Sequence, residues 1–401
     1  MSKLNKYKLD TLYEISSGIS TKPEQYGNGT PFLSFSTIFN NYFIPDELKE
    51  LMNTTGKEQE LYSIKKGDIF LTRTSETLNE LAMSCVALKD YPQATFSGFA
   101  KRLRPIQKNI TYDKFMGFFL RSKYFRKIID NNAIMTLRAS FNEKIFSYLN
   151  VELPEYEEQV KIGNLLHFIE EKIKTNNKIN IELEKLAKTL YEYWFVQFDF
   201  PDENNRPYKS SGGKMIYNEK LKREIPINWE VKQIGSILQE QEKSSVQVNQ
   251  ANDTGKYPFF TSGNEILKYN EFFVDDMHCY LSTGGNACVK YYYGKASYST
   301  DTWCISANEY TFYLHNYLIS INNQMDKLYF AGTGLKHLQK DIFKNSYIVI
   351  PPYDCIKKYN NVVSNGYKIS SKKYLENQEL TKLRIFLLPM LMNGQIGIIA
   401  E

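Results

Sequence analysis

From Pro154 to about Trp194 the apolar positions recur at alternating steps of four and three. Ile162, Leu166, Ile169, Ile173, Asn176, Asn180, Leu183, Ala187, Leu190 and Trp194 then share one stripe, the pattern of a coiled-coil seam. No Pro or Gly follows Gly163 within the segment, and some forty helical residues would make a rod of about 60 Å. An apolar stripe of that length needs a partner helix. Before it, residues 1–153 alternate short strand-like runs with turns, as in YGNGTPFLSFSTI and KKGDIFLTRT. Tyr112 to Asp130 has a helical period, and IFSYLNVELP predicts a closing strand, with Pro154 starting the rod. This predicts an α+β domain.

Residues 198–226 are polar and rich in Pro, Gly, Asn and Lys, which predicts a linker or extended arm. Residues 227–350 return to short strands and turns, and 351–395 to a helical period. The order of domain, rod, linker, domain, rod implies a duplication. A shift of 197 positions carries Pro154 onto Pro351, Tyr156 onto Tyr353 and Lys161 onto Lys358. It also carries the N-x-E-L-x-K-L run at Asn180–Leu186 onto Asn377–Leu383, and Leu190 onto Leu387. The second rod is therefore the partner of the first, with Asn377, Leu380 and Leu387 on its seam and Asn180 and Asn377 setting the register. Within the domains the match is looser. Phe70-Leu71-Thr72 resembles Tyr280-Leu281-Ser282, Tyr91-x-x-Ala94-x-Phe96-Ser97 resembles Tyr293-x-x-Ala296-x-Tyr298-Ser299, and Tyr7-x-Leu9-x-x-Leu12 resembles Trp229-x-Val231-x-x-Ile234.

Composition narrows the function. The 401 residues suit two domains plus connecting elements. No apolar run reaches the length of a membrane span, and MSKLNKYKLD lacks a signal-peptide core, so the expected location is the cytoplasm. Five cysteines without a C-x-x-C pair read as reduced, buried thiols; His278, Cys279 and Cys288 lack structural zinc spacing. A formal charge of +5, with 30 Tyr and 25 Phe, leans towards an anionic partner.

Catalytic patterns are missing. Pro351-Pro352-Tyr353 lacks the polar residue that precedes P-P-Y in amino-methyltransferases, and no Gly-rich cofactor loop is nearby. Gly212-Gly213-Lys214 is not a phosphate loop, Pro45-Asp46 has no carboxylate cluster around it, and the four histidines show no base–nucleophile pattern. Polar loops remain, at matching places in both domains. The first offers Ser34, Ser36, Thr37, Thr72, Arg73, Thr74, Ser75, Ser97, Arg138 and Ser140. The second offers Thr261, Ser262, Asn264, Ser282, Thr283, Gly284, Gly285, Asn286, Thr300, Asp301, Lys336 and His337. Such groups can contact base edges and phosphates, although Ser, Thr, Asn and Gly also populate ordinary turns.

LNVELPEYEEQVKIGNLL at 149–166, the paired N-x-E-L-x-K-L, FDFPDENNRPYKSSGGKM at 198–215 and LLPMLMNGQI at 387–396 resemble the DNA-specificity subunit of type I restriction-modification systems. The resemblance covers nearly the whole chain. It implies an α+β fold with two similar target-recognition domains, joined by two long antiparallel coiled-coil helices in a pseudo-twofold repeat. It implies a non-catalytic subunit that reads a bipartite site in double-stranded DNA and directs partner subunits to it. Two methyltransferase subunits would dock beside it and bind S-adenosylmethionine; two restriction/translocase subunits, where present, would use ATP and Mg. No cofactor would bind this chain. The second helix departs from the pattern: Tyr353-Asp354-Cys355-Ile356 replaces the E-x-E-Q of Glu155–Gln159, and Gly366 predicts an interruption. A protein-binding scaffold or anti-restriction mimic is the alternative, which the positive charge opposes. A single-chain modification enzyme would need the missing cofactor loop.

Overall fold

A computed structural model describes residues 3–20, 22–75, 80–132, 139–252 and 254–398. The chain divides into two units. Unit 1 is Met1–Lys174 with Gln378–Glu401, and unit 2 is Thr175–Asn377. The long helices, Tyr156–Tyr191 and Tyr353–Met392, each contribute residues to both.

Unit 1 centres on a four-stranded antiparallel sheet in the order Tyr13–Ser17, Ala100–Pro105, Ile69–Thr72, Ser84–Val86. All four residues of Ile69–Thr72 are buried, as suits a strand covered on both faces. A smaller sheet sets Tyr26–Leu33 between Leu51–Met52 and Thr95–Phe96, the last in parallel. Leu4–Lys8 pairs with Asn150–Pro154, so the two ends of the module meet. The segment expected to be one helix from Tyr112 is two, Asp113–Phe119 and Lys123–Asn132. Ser122 lies between them; its hydroxyl donates to the Phe119 carbonyl at 2.6 Å and accepts from the Phe125 N–H at 3.3 Å. IFSYLNVELP is likewise only partly a strand. Asn142 caps a short helix, Glu143–Tyr148, by accepting from the Ile145 N–H at 3.0 Å, and Pro154 ends the strand rather than starting the rod.

The long helix crosses this module at Gly163. A Cβ there would stand 2.6 Å from the Phe115 amide nitrogen and 2.9 Å from the Tyr112 ring. Ordinarily Gly→Ala inside a helix stabilises by about 1 kcal/mol, but here backbone must shift. Gly163→Ala is expected to destabilise the chain by about 1–3 kcal/mol, seen as a lower urea midpoint. A raised midpoint would show that the crossing is looser than this geometry. Beside it Gln159, fully buried, accepts from the Tyr112 N–H at 3.1 Å and donates to the carbonyls of Ile110 and Pro154, both at 2.9 Å. The Gln of the expected E-x-E-Q pattern thus ties the helix start to the module.

The two long helices run antiparallel. In unit 1 Arg384 pairs with Glu170, while Ile162, Leu166, Leu391 and Met392 join one core. In unit 2 the Asn176 amide donates to Asn377 Oδ1 and the Asn377 amide to Asn177 Oδ1, both at 2.8 Å. Among the described residues Asn180 donates only to the Ser370 carbonyl, at 3.4 Å. Asn377 therefore meets Asn176 and Asn177, not its repeat equivalent Asn180, because two antiparallel helices of a repeat place equivalent residues on opposite sides of the midpoint of their contact. Along the seam Ile162, Leu166, Ile169, Asn176, Ala187 and Trp194 are buried, while Ile173, Asn180, Leu183, Leu190, Asn377, Leu380 and Leu387 are half-buried. Tyr191 takes the buried place expected for Leu190, where the helix loosens into a π turn at Glu192–Val196. Gly366 does not interrupt the second helix, which is continuous from Tyr353; a Cβ there would make ordinary contact, 3.5 Å from Leu183.

Unit 2 repeats the plan. Its four-stranded sheet runs Gln239–Glu240, Thr302–Ser306, Met277–Ser282, Val289–Tyr293, and its three-stranded sheet sets Tyr257–Phe260 between Ile266–Tyr269 and a parallel Ser297–Tyr298. Glu230–Gln233 pairs with Tyr347–Ile350. This last register corrects one of the internal matches. Leu9 donates to the Leu149 carbonyl and Ile234 to Ser346, so Leu9 corresponds to Ile234 and Tyr7 to Lys232, not to Trp229. A pattern with apolar steps of two and three fits its neighbours almost as well when slid by three. Residues 198–226, expected to be a linker or arm, fold onto unit 2. Phe200 lies 4.7 Å from the Tyr208 ring and 4.9 Å from Trp229, Arg223 covers Phe198, and Met215–Asn218 pairs with Arg223–Pro226.

Candidate nucleic-acid interface

The loops singled out in the sequence converge within each unit. In unit 1 the Ser97 N–H donates to the Leu33 carbonyl at 3.0 Å, Ala100 to Ser97 at 2.9 Å, Arg73 to Phe99 at 2.8 Å, and Phe141 to Arg73 at 2.7 Å. In unit 2 Ser299 donates to Phe260 at 2.8 Å, Thr302 to Ser299 at 3.1 Å, Thr283 to Asp301 at 3.1 Å, and Leu338 to Thr283 at 3.0 Å. The two sets correspond bond for bond. Four segments distant in sequence are clasped into one loop cluster, twice.

Several of the singled-out hydroxyls build this clasp instead of facing outwards. Thr72 is fully buried; its Oγ1 donates to the Glu80 carbonyl at 3.0 Å and accepts from the Met83 N–H at 2.9 Å. Ser282 does the same with the Asn286 carbonyl, 2.7 Å, and the Cys288 N–H, 3.0 Å. Ser34 caps the helix Phe35–Asn40 and donates to Glu50 at 2.7 Å; Thr37 receives that cap, and Ser36 is exposed on the first turn. Ser97 accepts from the Phe99 N–H at 3.2 Å, and Thr261 donates to the Glu265 carbonyl at 3.1 Å. Ser262 and Thr283 both donate to the Asp301 carbonyl, and Thr300 donates its N–H to Val246. Burial of a hydroxyl requires such partners, and Ser and Thr in turns supply them locally.

Outward-facing groups are fewer. In unit 1 Arg73 is exposed and Thr74 half-exposed, with Thr74–Ser75 paired to Ala139–Ser140; Arg138 lies outside the described residues. In unit 2 Asn264, Asn286, Asp301, Lys336 and His337 are exposed. Gly284 bridges His337, and Gly285, at φ +83°, donates to the Lys336 carbonyl at 2.9 Å, a backbone conformation that favours glycine. Next to Arg73 the buried Lys101 ammonium donates to Ser17 at 2.8 Å and to Glu143; that bond holds the Glu143 carboxyl below its usual range, and the charge of Arg73 adds to the effect.

Two outward residues were not anticipated. Phe99 is 60% exposed and Leu335 66%. Applying to Asp301 the shift of 202 that relates Ser97 to Ser299 would have pointed to Phe99. Leu335 carries no repeat signal. His278, considered for zinc, has its Nδ1 3.3 Å from the Asp276 carbonyl. Among the described residues no group of three His, Cys, Asp or Glu side chains could hold a metal ion.

Residues 1–185 and 226–382 match the family described as type I restriction modification DNA specificity domain, one copy for each half of the chain. The type I restriction enzyme MjaIX specificity subunit of Methanocaldococcus jannaschii is 25% identical over 431 aligned positions, covering 98% of this chain and 93% of that protein. The HindI specificity subunit of Haemophilus influenzae is 26% identical over 204 positions, 49% of this chain and 42% of that one. In fold, the crystal structure of a type I restriction-modification S subunit from M. genitalium is similar at a TM-score of 0.67 and 14% identity, over 97% of this chain and 96% of that one. The matched module is one of DNA recognition and not of catalysis. With two copies of that module spanning most of its length, the chain belongs to the type I restriction-modification DNA specificity family.

Proposed function

We infer that each loop cluster reads one half of a bipartite target in double-stranded DNA, and that the chain thereby directs methyltransferase subunits, and restriction subunits where present, to that target. The carrying observation is the recurrence of one hydrogen-bonded clasp with different outward side chains: Arg73, Thr74 and Phe99 in one unit, Asp301, Lys336 and His337 in the other. A duplicated frame with divergent edges suits the reading of two unlike half-sites. Residues 1–153 and 227–350 would be the reading modules, and the antiparallel helices 154–197 and 351–395 the spacer between half-sites. S-adenosylmethionine would bind in the partner methyltransferases, and ATP and Mg in a restriction subunit.

Single-molecule sequencing of methylated bases tests this. In a strain carrying the modification partners, deleting this chain should abolish methylation at one bipartite motif. Exchanging residues 1–153 for those of another family member should alter one half of it only. Methylation that persists without the chain, or an exchange that alters both halves, would refute the reading.

A further inference from the structure

One position in the clasp recurs with unlike chemistry. The backbone carbonyl of Phe99 accepts from the Arg73 N–H, and that of Asp301 from the Thr283 N–H, so these residues occupy the same place in the two frames. Both are pinned further by side-chain bonds. Ser97 Oγ accepts from the Phe99 N–H at 3.2 Å, while the hydroxyls of Thr283 and Ser262 donate to the Asp301 carbonyl. Yet both side chains are exposed, and the Asp301 carboxylate makes no hydrogen bond or ion pair among the described residues. Folding alone explains neither. A 60% exposed phenylalanine buries little apolar surface and so contributes little to the core, and the aspartate caps nothing. Rigid backbone with a free side chain is the arrangement a specificity contact needs, because little ordering remains to be done on binding.

Resting on the DNA-reading function above, we propose that Phe99 and Asp301 are equivalent base-reading residues, Phe99 contacting a thymine methyl group and Asp301 accepting from a cytosine amino group. In the major groove thymine alone presents a methyl group, which an apolar side chain can cover. Cytosine presents the N4 amino donor. Adenine also offers an amino donor, but with the N7 acceptor beside it, whose lone pair repels a carboxylate. Asp301 therefore selects cytosine over adenine.

The test uses the full chain with its modification partners and reads the methylated motif. Asp301→Asn keeps the shape but adds a donor that suits adenine N6 and N7. It should move one position of one half-site from cytosine towards adenine, with the original preference falling about tenfold or more. Phe99→Asp should turn one thymine of the other half-site into cytosine, leaving the Asp301 half unchanged. Thermal melting confirms that each variant is folded, and the near-isosteric Asp301→Asn decides the matter if Phe99→Asp does not fold. A folded variant that keeps the original motif, changes a different position, or loses methylation outright overturns the assignment. Loss of the motif's dependence on the chain itself would instead overturn the DNA-reading function.

Discussion

Arg121→Met is expected to cost unit 1 about 3–5 kcal/mol, more than any other single side-chain change considered for that unit. The Arg121 guanidinium donates from Nε to the Ser84 carbonyl at 2.7 Å. Its Nη2 faces the carbonyls of Ile38, Phe39 and Asn41 at 2.7, 2.8 and 2.9 Å. Three of these acceptors close the C-terminal end of the helix Phe35–Asn40, where unpaired carbonyls collect. Burial pulls the guanidinium pKa down, yet no lysine could replace it, since one ammonium cannot reach acceptors spread over two elements. Methionine keeps the apolar stem and strands the four carbonyls, at about 1 kcal/mol each. The helix so held begins at Ser34 and stands beside the Leu33–Ser97 bond, so the clasp should loosen with it. Urea denaturation of wild type, Arg121→Met and Arg121→Lys should rank in that order, with Met and Lys both well below wild type. A loss under 1 kcal/mol would mean that water replaces the guanidinium.

Acid should weaken unit 2 through His315. The ring is buried, its Nδ1 is 2.8 Å from the Tyr367 hydroxyl, and that hydroxyl also accepts from Asn316 at 2.7 Å. Burial pulls the His315 pKa down to about 3 from an ordinary 6.5. The folded chain therefore resists a proton that the unfolded chain accepts. Stability from this group is complete above about pH 6.5 and is lost as pH falls towards 3, at about 1.4 kcal/mol per pH unit, or roughly 3 kcal/mol by pH 4. Glu184 in the same unit acts with opposite sign, because partial desolvation of its carboxyl beside Tyr291 raises its pKa. Comparison with His315→Gln isolates the histidine: the variant starts less stable at pH 8, and the gap should narrow as pH drops. Parallel pH profiles for the two chains would rule the effect out.

The long helices were legible from Tyr156 onwards because helical burial is local. A residue's face follows from its neighbours at three and four positions, so Ile162, Leu166 and Ile169 could be placed on a buried stripe without knowing what covers them. The duplication was legible for a related reason: the rods repeat without gaps. Short elements were not. Asn142 and Ser122 each break a segment that propensity alone would continue, and the slide of Tyr7 onto Trp229 shows how little a six-residue pattern constrains register.

The candidate site was half legible. The segments holding Ser34, Arg73, Ser97, Thr283, Asp301 and His337 could be picked out as polar loops, and the repeat matched most of them. Their assembly depends on strand pairings between residues tens of positions apart, such as Thr72 with Ala100 and Ser282 with Thr302. Composition and periodicity therefore determined two α+β modules and a pair of seam-bearing helices, since those follow from patterns of a few residues. Only the tertiary structure decided that Thr72 and Ser282 turn inwards to hold the loops while Phe99 and Asp301 turn outwards. Whether a loop side chain is buried depends on the strand it is clasped against, and that strand lies elsewhere in the chain.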